Sequence, residues 1–370
     1  MYVHGTYEEL GGRRHFTPYP LADLPEIALS GELTELYGEA MHRLGRLDAA
    51  AASLPDVRAL IKAYVTKEAL LSSEIEGTVT TLTEVMAALQ TPERRSENRD
   101  TQDVVNDFEA ARTALRMLKE EGLPLVERVV KAAHRVLLDT DAGRGKAPGA
   151  YRSFPVAVGG HVPPPANRIP ALMRDWEAFV NGNAYPPLLK AGIAHAQFET
   201  IHPFLDGNGR IGRLLIVLGF IHDGLLREPL IYPSYYFKRF RSEYYAWLDG
   251  IRTKGDWSGW LRFYLRAVNE TAADTAARME RLTGVIREYE GQIAALSIKN
   301  GDRLLSVLLE RPVPDIPGLA RAMSLSYPTA DTIVKKLVRA GVLTQRSTGK
   351  RNKTYRLEAY MAVLEEDTPF

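Results

Sequence analysis

Apolar side chains recur at helical spacing along most of this chain, and alternating β patterns are few. Val57, Leu60, Ile61, Tyr64, Val65, Leu71 and Ile75 mark one helix, which Gly77 closes as a C-terminal glycine would. Helical patterns also cover residues 101–121, 125–139, 171–180, 188–200, 209–222 and 237–252, and a long stretch from 257 to about 296. Residues 1–30, rich in Gly, Pro and Tyr, read as an extended arm, and the polar residues 91–100 as a loop or linker. Residues 141–165 interrupt the helical period. There an alternating run over 154–158, then Gly159-Gly160, then His161-Val162, predicts a β-hairpin turning on the glycines and a functional loop.

The last segment follows a different order. Residues 303–310, 317–323 and 328–340 read as three short helices, the third opened by Ser326 and closed by Gly341. Strand-like residues 342–344 and 354–357 follow, joined by a basic loop over 346–353. Three helices and a hairpin are the order of a winged helix-turn-helix.

Charge sharpens that division. The chain of 370 residues has a net charge of +1, but residues 303–357 hold eleven Lys or Arg against three acids. A basic segment on a mildly acidic body suggests an acidic partner, with DNA as first candidate and dimerisation or protein docking as the equal alternative. Lys335, Lys336, Arg339, Arg346, Lys350, Arg351 and Lys353 are the candidate phosphate contacts. With no cysteine, disulfides, thiolate metal sites and cysteine nucleophiles are excluded. The first 25 residues lack the apolar core of a secretory signal, and the longest apolar run, 214–221, is too short to span a bilayer. The expectation is a soluble, cytoplasmic protein with no membrane partner.

Residues 202–213, His-Pro-Phe-Leu-Asp-Gly-Asn-Gly-Arg-Ile-Gly-Arg, concentrate the chemistry. Gly207-Asn208-Gly209 permits a tight turn that aims backbone N–H groups at one point, at the positive end of a helix. Arg210 and Arg213, three apart on that helix, can grip phosphate oxygens. Asp206 is a hard ligand suited to Mg²⁺ together with phosphate oxygens. His202 precedes this nest as a candidate general base, with an ordinary pKa of about 6.5. A Walker-type loop and an HExxH zinc motif are absent from the sequence, and His195 reads as a packing residue.

The run HPFLDGNGRIGR resembles the Fic family signature, H-P-F-x-D/E-G-N-G-R-x-x-R, at every defined position. The resemblance implies a mainly α fold: a Fic-type helical core with a β-hairpin flap, here followed by the C-terminal winged helix-turn-helix. It also implies transfer of AMP from ATP to a Ser, Thr or Tyr hydroxyl of a target protein, with release of pyrophosphate. His202 would deprotonate the hydroxyl, Asp206 would hold Mg²⁺, Gly207, Asn208 and Gly209 would cradle the phosphates, and Arg210 and Arg213 would reach the β and γ groups. The phosphorylating Doc branch typically carries Lys at the second glycine position, so Gly209 favours AMP transfer; UMP or phosphocholine transfer stays open. Gly149-Ala-Tyr-Arg152 and residues 156–164 resemble the family's lead-in and flap, with Val158, Gly159, Gly160 and His161 covering the nucleotide and the flap edge holding the target by strand addition. Tyr244, Tyr245 and Leu248 fall either near the adenine or in the core.

Ser72 and Glu76, four apart on one helix face and followed by Gly77, resemble the family's inhibitory motif, S/T-x-x-x-E-G/N. The resemblance implies that Glu76 pairs with Arg213 and blocks the γ-phosphate position, and leaves open a role for Glu76 in AMP removal. The expected division is an N-terminal arm and inhibitory region over 1–100, a catalytic core over 101–296 and the winged helix over 297–370. The protein itself is a further expected target, and the length and C-terminal module are compatible with a homodimer without fixing the oligomeric state. The rival reading is a DNA-binding regulator whose Fic-like core senses nucleotide.

Overall fold

The apolar stripes become helices that share one continuous core. The computed structural model describes residues 3–52, 57–90, 95–140, 143–346 and 353–366. A hairpin of β1 (Gly5–Leu10) and β2 (Arg13–Pro18) comes first, then α1 (Glu32–Ala52), α2 (Arg58–Ile75), α3 (Leu82–Ala88), α4 (Arg99–Lys119) and α5 (Glu127–Leu137). After the flap region come α6 (Ile169–Val180), α7 (Pro187–Ile201), α8 (Asn208–His222), α9 (Ser234–Arg239), α10 (Arg241–Lys254) and α11 (Trp257–Ala295). The C-terminal module holds α12 (Gly301–Glu310), α13 (Ile316–Met323), α14 (Tyr327–Arg339), β3 (Thr344–Gln345), β4 (Tyr355–Arg356) and α15 (Glu358–Glu365).

Burial explains why α2 and α7 show little amphipathic contrast. Every residue of α7 from Leu188 to Ile201 is buried, and α2 is buried on nearly every face. A helix that is apolar all round belongs in the centre. α8 packs along α7, while α4 and α9 flank α2. Trp176, Trp260, Phe198 and Phe204 fill the space between them. The 39-residue α11 runs from this core, against α1, to the C-terminal module, where it meets α12 and α15. The other end of α2 touches that module too: the Lys62 ammonium donates to the carbonyl of Glu310 at 3.0 Å.

Several expectations are corrected. The N-terminal arm is not simply extended; Tyr7 pairs with Phe16 across the β1–β2 hairpin, and Phe16 N–H donates to Val162 O at 2.9 Å. The flap turns on Gly159-Gly160 as expected, but its pairing is limited to the reciprocal Val158–His161 bonds of 2.8 and 2.9 Å. Residues 154–157 form no strand, and Phe154 is exposed. The helix expected over 237–252 is two helices, because Phe240 leaves the helical region (φ −111°, ψ 42°). Three helices went unread. α1 carries a stripe of Leu33, Ala40, Leu44, Leu47 and Ala51 diluted by small residues, while α3 and α15 are only two turns long. A capping box of Thr81 and Glu84 does announce α3.

The expected sequence of three helices and a strand pair appears in the C-terminal module, with α15 added behind it. Ser326 caps α14 by accepting from Thr329 N–H, and Gly341 takes a positive φ of 76°. The expected wing residues Lys350 and Arg351 lie outside the described residues. Among the described residues, no helix is long and apolar enough to cross a membrane.

Candidate active site

The loop between α7 and α8 is built around its own hydrogen bonds. His202 caps α7 in the left-handed region (φ 48°), with its N–H donating to Phe198 O at 2.9 Å. That conformation is uncommon for a residue with a side chain and clusters at functional sites. Phe204 is fully buried and stacks on His134 at 3.7 Å. Asn208 clamps the loop, accepting from Phe204 N–H at 2.8 Å and donating to Phe204 O at 2.9 Å. Its side chain is therefore committed to the loop, and its backbone is what remains for a cradle. Gly207 (φ 76°) turns the chain into α8, whose first amides have no intrahelical acceptor. These amides and the helix dipole define an anion position.

Two residues that the sequence reading did not assign to the site hold this loop. His134 accepts from Gly149 N–H through Nδ1 at 2.8 Å, so its Nε2–H donates to Asp206 O at 3.0 Å. Burial pushes its pKa down to about 4, which keeps that tautomer neutral. Arg152 is 2% exposed and ties three segments: Nε donates to His202 O at 2.8 Å, one terminal nitrogen to Pro164 O at 2.7 Å, and its backbone N–H to Pro203 O at 2.9 Å. The stretch Gly149–Arg152 was a usable signal for Arg152; a lone His in α5 gave none.

The two motif arginines have separate surroundings. Arg213 is 1% exposed, and its Nε donates to Ser72 Oγ at 2.8 Å. One terminal nitrogen donates to Ser72 O at 3.0 Å and to Glu76 Oε1 at 2.7 Å. Ser72 and Glu76 thus meet Arg213, and Gly77 (φ 99°) ends α2 behind them. Burial pushes the Glu76 carboxyl up, but Arg213, Arg210 and His202 together outweigh it and hold it below the ordinary carboxylate range. Gly209 makes the meeting sterically allowed: a Cβ there would stand 2.4 Å from Glu76 Oε1 and 2.8 Å from the Arg213 guanidinium. A carboxylate therefore sits against the first turn of α8, on the guanidinium of Arg213.

Arg210 instead faces Asp107 of α4 at 3.3 Å and Asp206 at 3.9 Å. Burial pushes Asp107 up to about 6 against the pull of Arg210 and the Ser73 hydroxyl, which donates to it. Asp107 and Ser73 were not foreseen, because both are remote in sequence from the loop they serve. Asp206 stands at the rim, 47% exposed, with Lys146 4.0 Å away and one carboxylate oxygen accepting from Gly207 N–H.

His202 is 15% exposed. Burial, then the Arg152 guanidinium, pushes its pKa from the expected 6.5 down to about 4. The imidazole is thus neutral at pH 7 and free to accept a proton. His161 corrects its expected role. It is buried, its Nε2 lies 2.9 Å from Thr200 O, and burial pushes its pKa down to about 3, so its side chain anchors the flap. Val158, Gly159 and Gly160 are exposed at the tip. Tyr244 and Leu248 belong to the core; the Tyr244 hydroxyl is 2.9 Å from His195 Nε2, and its ring stacks on Phe237. Tyr245 is 40% exposed. His195 is a buried packing residue, as expected, with Nδ1 2.7 Å from Gly212 O.

This geometry can be set beside known proteins. Residues 124–218 match the Fic/DOC family model, and residues 34–116 match the model of that family's N-terminal region. The domain around the loop is Fic-type. Relatives include the protein adenylyltransferase Fic of Drosophila grimshawi, 31% identical over 204 residues, or 53% of this chain and 40% of that protein. The protein of the same name from Drosophila virilis is 31% identical over 267 residues, covering 70% of this chain and 51% of the relative. The chain thus spans about half or less of these relatives' length. Among solved structures, a Fic family protein from Desulfovibrio desulfuricans superposes with a TM-score of 0.59 at 23% identity, covering 90% of this chain and 98% of that one. Fic-1 of C. elegans (residues 134–508) superposes at 0.51 and 23% identity, covering 69% and 74%. The fold is accordingly that of Fic proteins.

Proposed function

We propose that the protein transfers AMP from ATP to a hydroxyl side chain of a target protein and is held off by its own Glu76. The observation that carries this reading is the Glu76–Arg213 contact of 2.7 Å, which sets a carboxylate on a motif guanidinium beside the start of α8. One carboxylate there competes with phosphate oxygens for the same guanidinium. The names of the Drosophila relatives support the reaction class.

In the active state Glu76 has swung away and the triphosphate lies along the start of α8, with Arg213 and Arg210 on its outer phosphates. The target oxygen attacks the α-phosphorus, and the α–β phosphoanhydride bond breaks. The proton passes to His202 and pyrophosphate leaves. With Nδ1 turned toward Glu199 at 4.0 Å, Nε2 is the nitrogen left to take that proton. Asp206 fits Mg²⁺ as a single exposed carboxylate beside the phosphates; among the described residues no group of three acidic or imidazole ligands gathers anywhere. Bound there, the ion would neutralise charge on the phosphates. Because β2 already occupies Val162 O, the target segment is expected on the other flap edge, near residues 154–158.

The nucleotide choice is tested by incubating Glu76→Gly protein with Mg²⁺ and ATP, UTP, GTP or CTP in turn and reading intact mass. One adenylyl gain with ATP, absent from the Glu76→Gly/His202→Ala double variant, is expected. A gain with UTP instead would replace the proposed group, and no gain with any nucleotide, on this chain or on added protein, would reject transfer.

We further infer a winged-helix module over residues 301–366. Its helix order and the exposed Lys335, Lys336 and Arg339 on α14 support duplex DNA as a partner. A salt-sensitive gel shift on random duplex DNA is expected; the absence of any shift at low salt would leave protein docking as its role.

A further inference from the structure

Glu199 is a buried carboxyl that the reaction above does not use. It lies one turn before His202 on α7, and its Oε2 is 4.0 Å from His202 Nδ1. α8 leaves a recess for it: a Cβ at Gly212 would fall 2.2 Å from Glu199 Oε1. That oxygen is buried without a hydrogen-bond partner. An unpaired buried acceptor is costly, and such a group calls for a role.

The surrounding charges suggest one. Arg213 faces Glu199 from α8, Arg252 and the Tyr244 hydroxyl from α10, and Glu76 from the end of α2. His202 itself lies near Arg152 and Arg252, and both disfavour a protonated imidazole. Glu76 is the carboxylate that favours it in the off state, yet Glu76 must leave for ATP to enter. Proton acceptance by His202 therefore creates an imidazolium beside two guanidinium groups at the moment its acidic neighbour has gone. Glu199 is already in place, on the Nδ1 side.

We propose that Glu199 is a positioning residue for His202: its backbone carbonyl accepts from the ring, and its carboxylate, 4.0 Å from Nδ1, stabilises the imidazolium formed when Nε2 accepts the target's proton. This rests on the reading of His202 as the base. The proton stays on His202 during the step, and Glu199 remains ionised. The proposal carries a pH signature. His202, at about 4, is neutral throughout pH 5–8 and gives no step there. With Glu76 in place, burial, the largest influence, and Glu76 push Glu199 up to about 7 against the pull of Arg213; in Glu76→Gly the Glu76 contribution is gone and the ionisation moves lower. Transfer is expected to rise with pH as Glu199 ionises.

The test compares Glu76→Gly with Glu76→Gly/Glu199→Gln and Glu76→Gly/Glu199→Asp, each checked for folding by thermal melt. The expected result is a kcat lowered roughly 10-fold or more by Glu199→Gln, less than the ~10²–10⁴ attributable to a general base. The KM for ATP stays unchanged, the pH 5–8 profile flattens, and Glu199→Asp restores the slope. Equal profiles, or a uniform loss that keeps the slope, would overturn the proposal. A second readout needs no turnover: the His202 ring nitrogen resonances of otherwise unaltered protein should show a step near neutrality that Glu199→Gln abolishes. A step that persists in Glu199→Gln, or is missing from the parent, overturns the proposal even if no transfer is found. Absence of transfer in Glu76→Gly alone counts against the reaction instead.

Discussion

The start of α8 and the face of α14 handle positive charge in opposite ways. Arg213 is almost fully enclosed; its hydrogen bonds reach oxygens of Ser72 and Glu76, and the Tyr244 hydroxyl and Glu199 lie beside it. On α14, Lys335, Lys336 and Arg339 stand exposed, and Lys335 pairs at 2.7 Å with Asp331 one turn away on the solvent side. A buried guanidinium must be paired, and its partners describe the ligand able to replace them: an anion with several oxygens. A solvated lysine costs nothing to leave alone and describes no partner beyond its sign. For this reason the first region supports a reaction and the second a class of surface.

The enclosed site carries the largest expected effect. His202→Ala in the Glu76→Gly background should reduce AMP transfer about 10²–10⁴-fold, the usual worth of a positioned base, with nucleotide binding retained in a calorimetric titration. Loss of binding along with transfer would mean that the imidazole supports the loop rather than the chemistry. Ser72→Ala removes the acceptor of Arg213 Nε, a hydrogen bond to a charged group worth about 1.5–3 kcal/mol. Denaturant unfolding should register a loss of that order, and transfer should rise a few-fold as Arg213 loosens from the brake. A neutral result would mean that Ser72 contributes nothing to the enclosure. The smallest effect belongs to the other region. Lys335→Ala, Lys336→Ala and Arg339→Ala together should alter stability by no more than about 0.5 kcal/mol each, because surface substitutions away from special contacts do little. Transfer should be untouched, while the salt slope of any DNA binding should flatten. A large stability loss there would show that α14 is knitted into the molecule rather than presented by it.

The same contrast governs how much the sequence could reveal. The long helices were readable for two reasons: α11 shows an apolar period, while α2, α7 and α8 are apolar-rich over lengths too great for a strand because they are buried on most faces. α1 was overlooked because alanine and glycine dilute its stripe, and α3 and α15 because two turns hold too few periods. Within the site, His202, Asp206, Arg210 and Arg213 announce themselves by crowding into twelve positions. Their supports do not. Asp107, Ser73, His134 and Arg152 reach the loop from other elements, and only packing shows that Asp107 faces Arg210 or that Arg152 laces His202 to Pro164. Tyr244 could be read as either core or adenine contact because an aromatic on a helix has the same signature in both; its hydrogen-bond distance to buried His195 assigns it to the core.

The central claim is that Glu76 occupies the place of a phosphate. Its direct test is the initial rate of label transfer from α-labelled ATP with Mg²⁺, measured for the unaltered protein and for Glu76→Gly at equal folded concentration. The carboxylate–guanidinium bond falls in the class worth about 1.5–3 kcal/mol, and the 41% exposure of Glu76 argues for the lower end. The account therefore predicts a rise of about 10-fold or more in the variant. Equal rates in two folded proteins would contradict it.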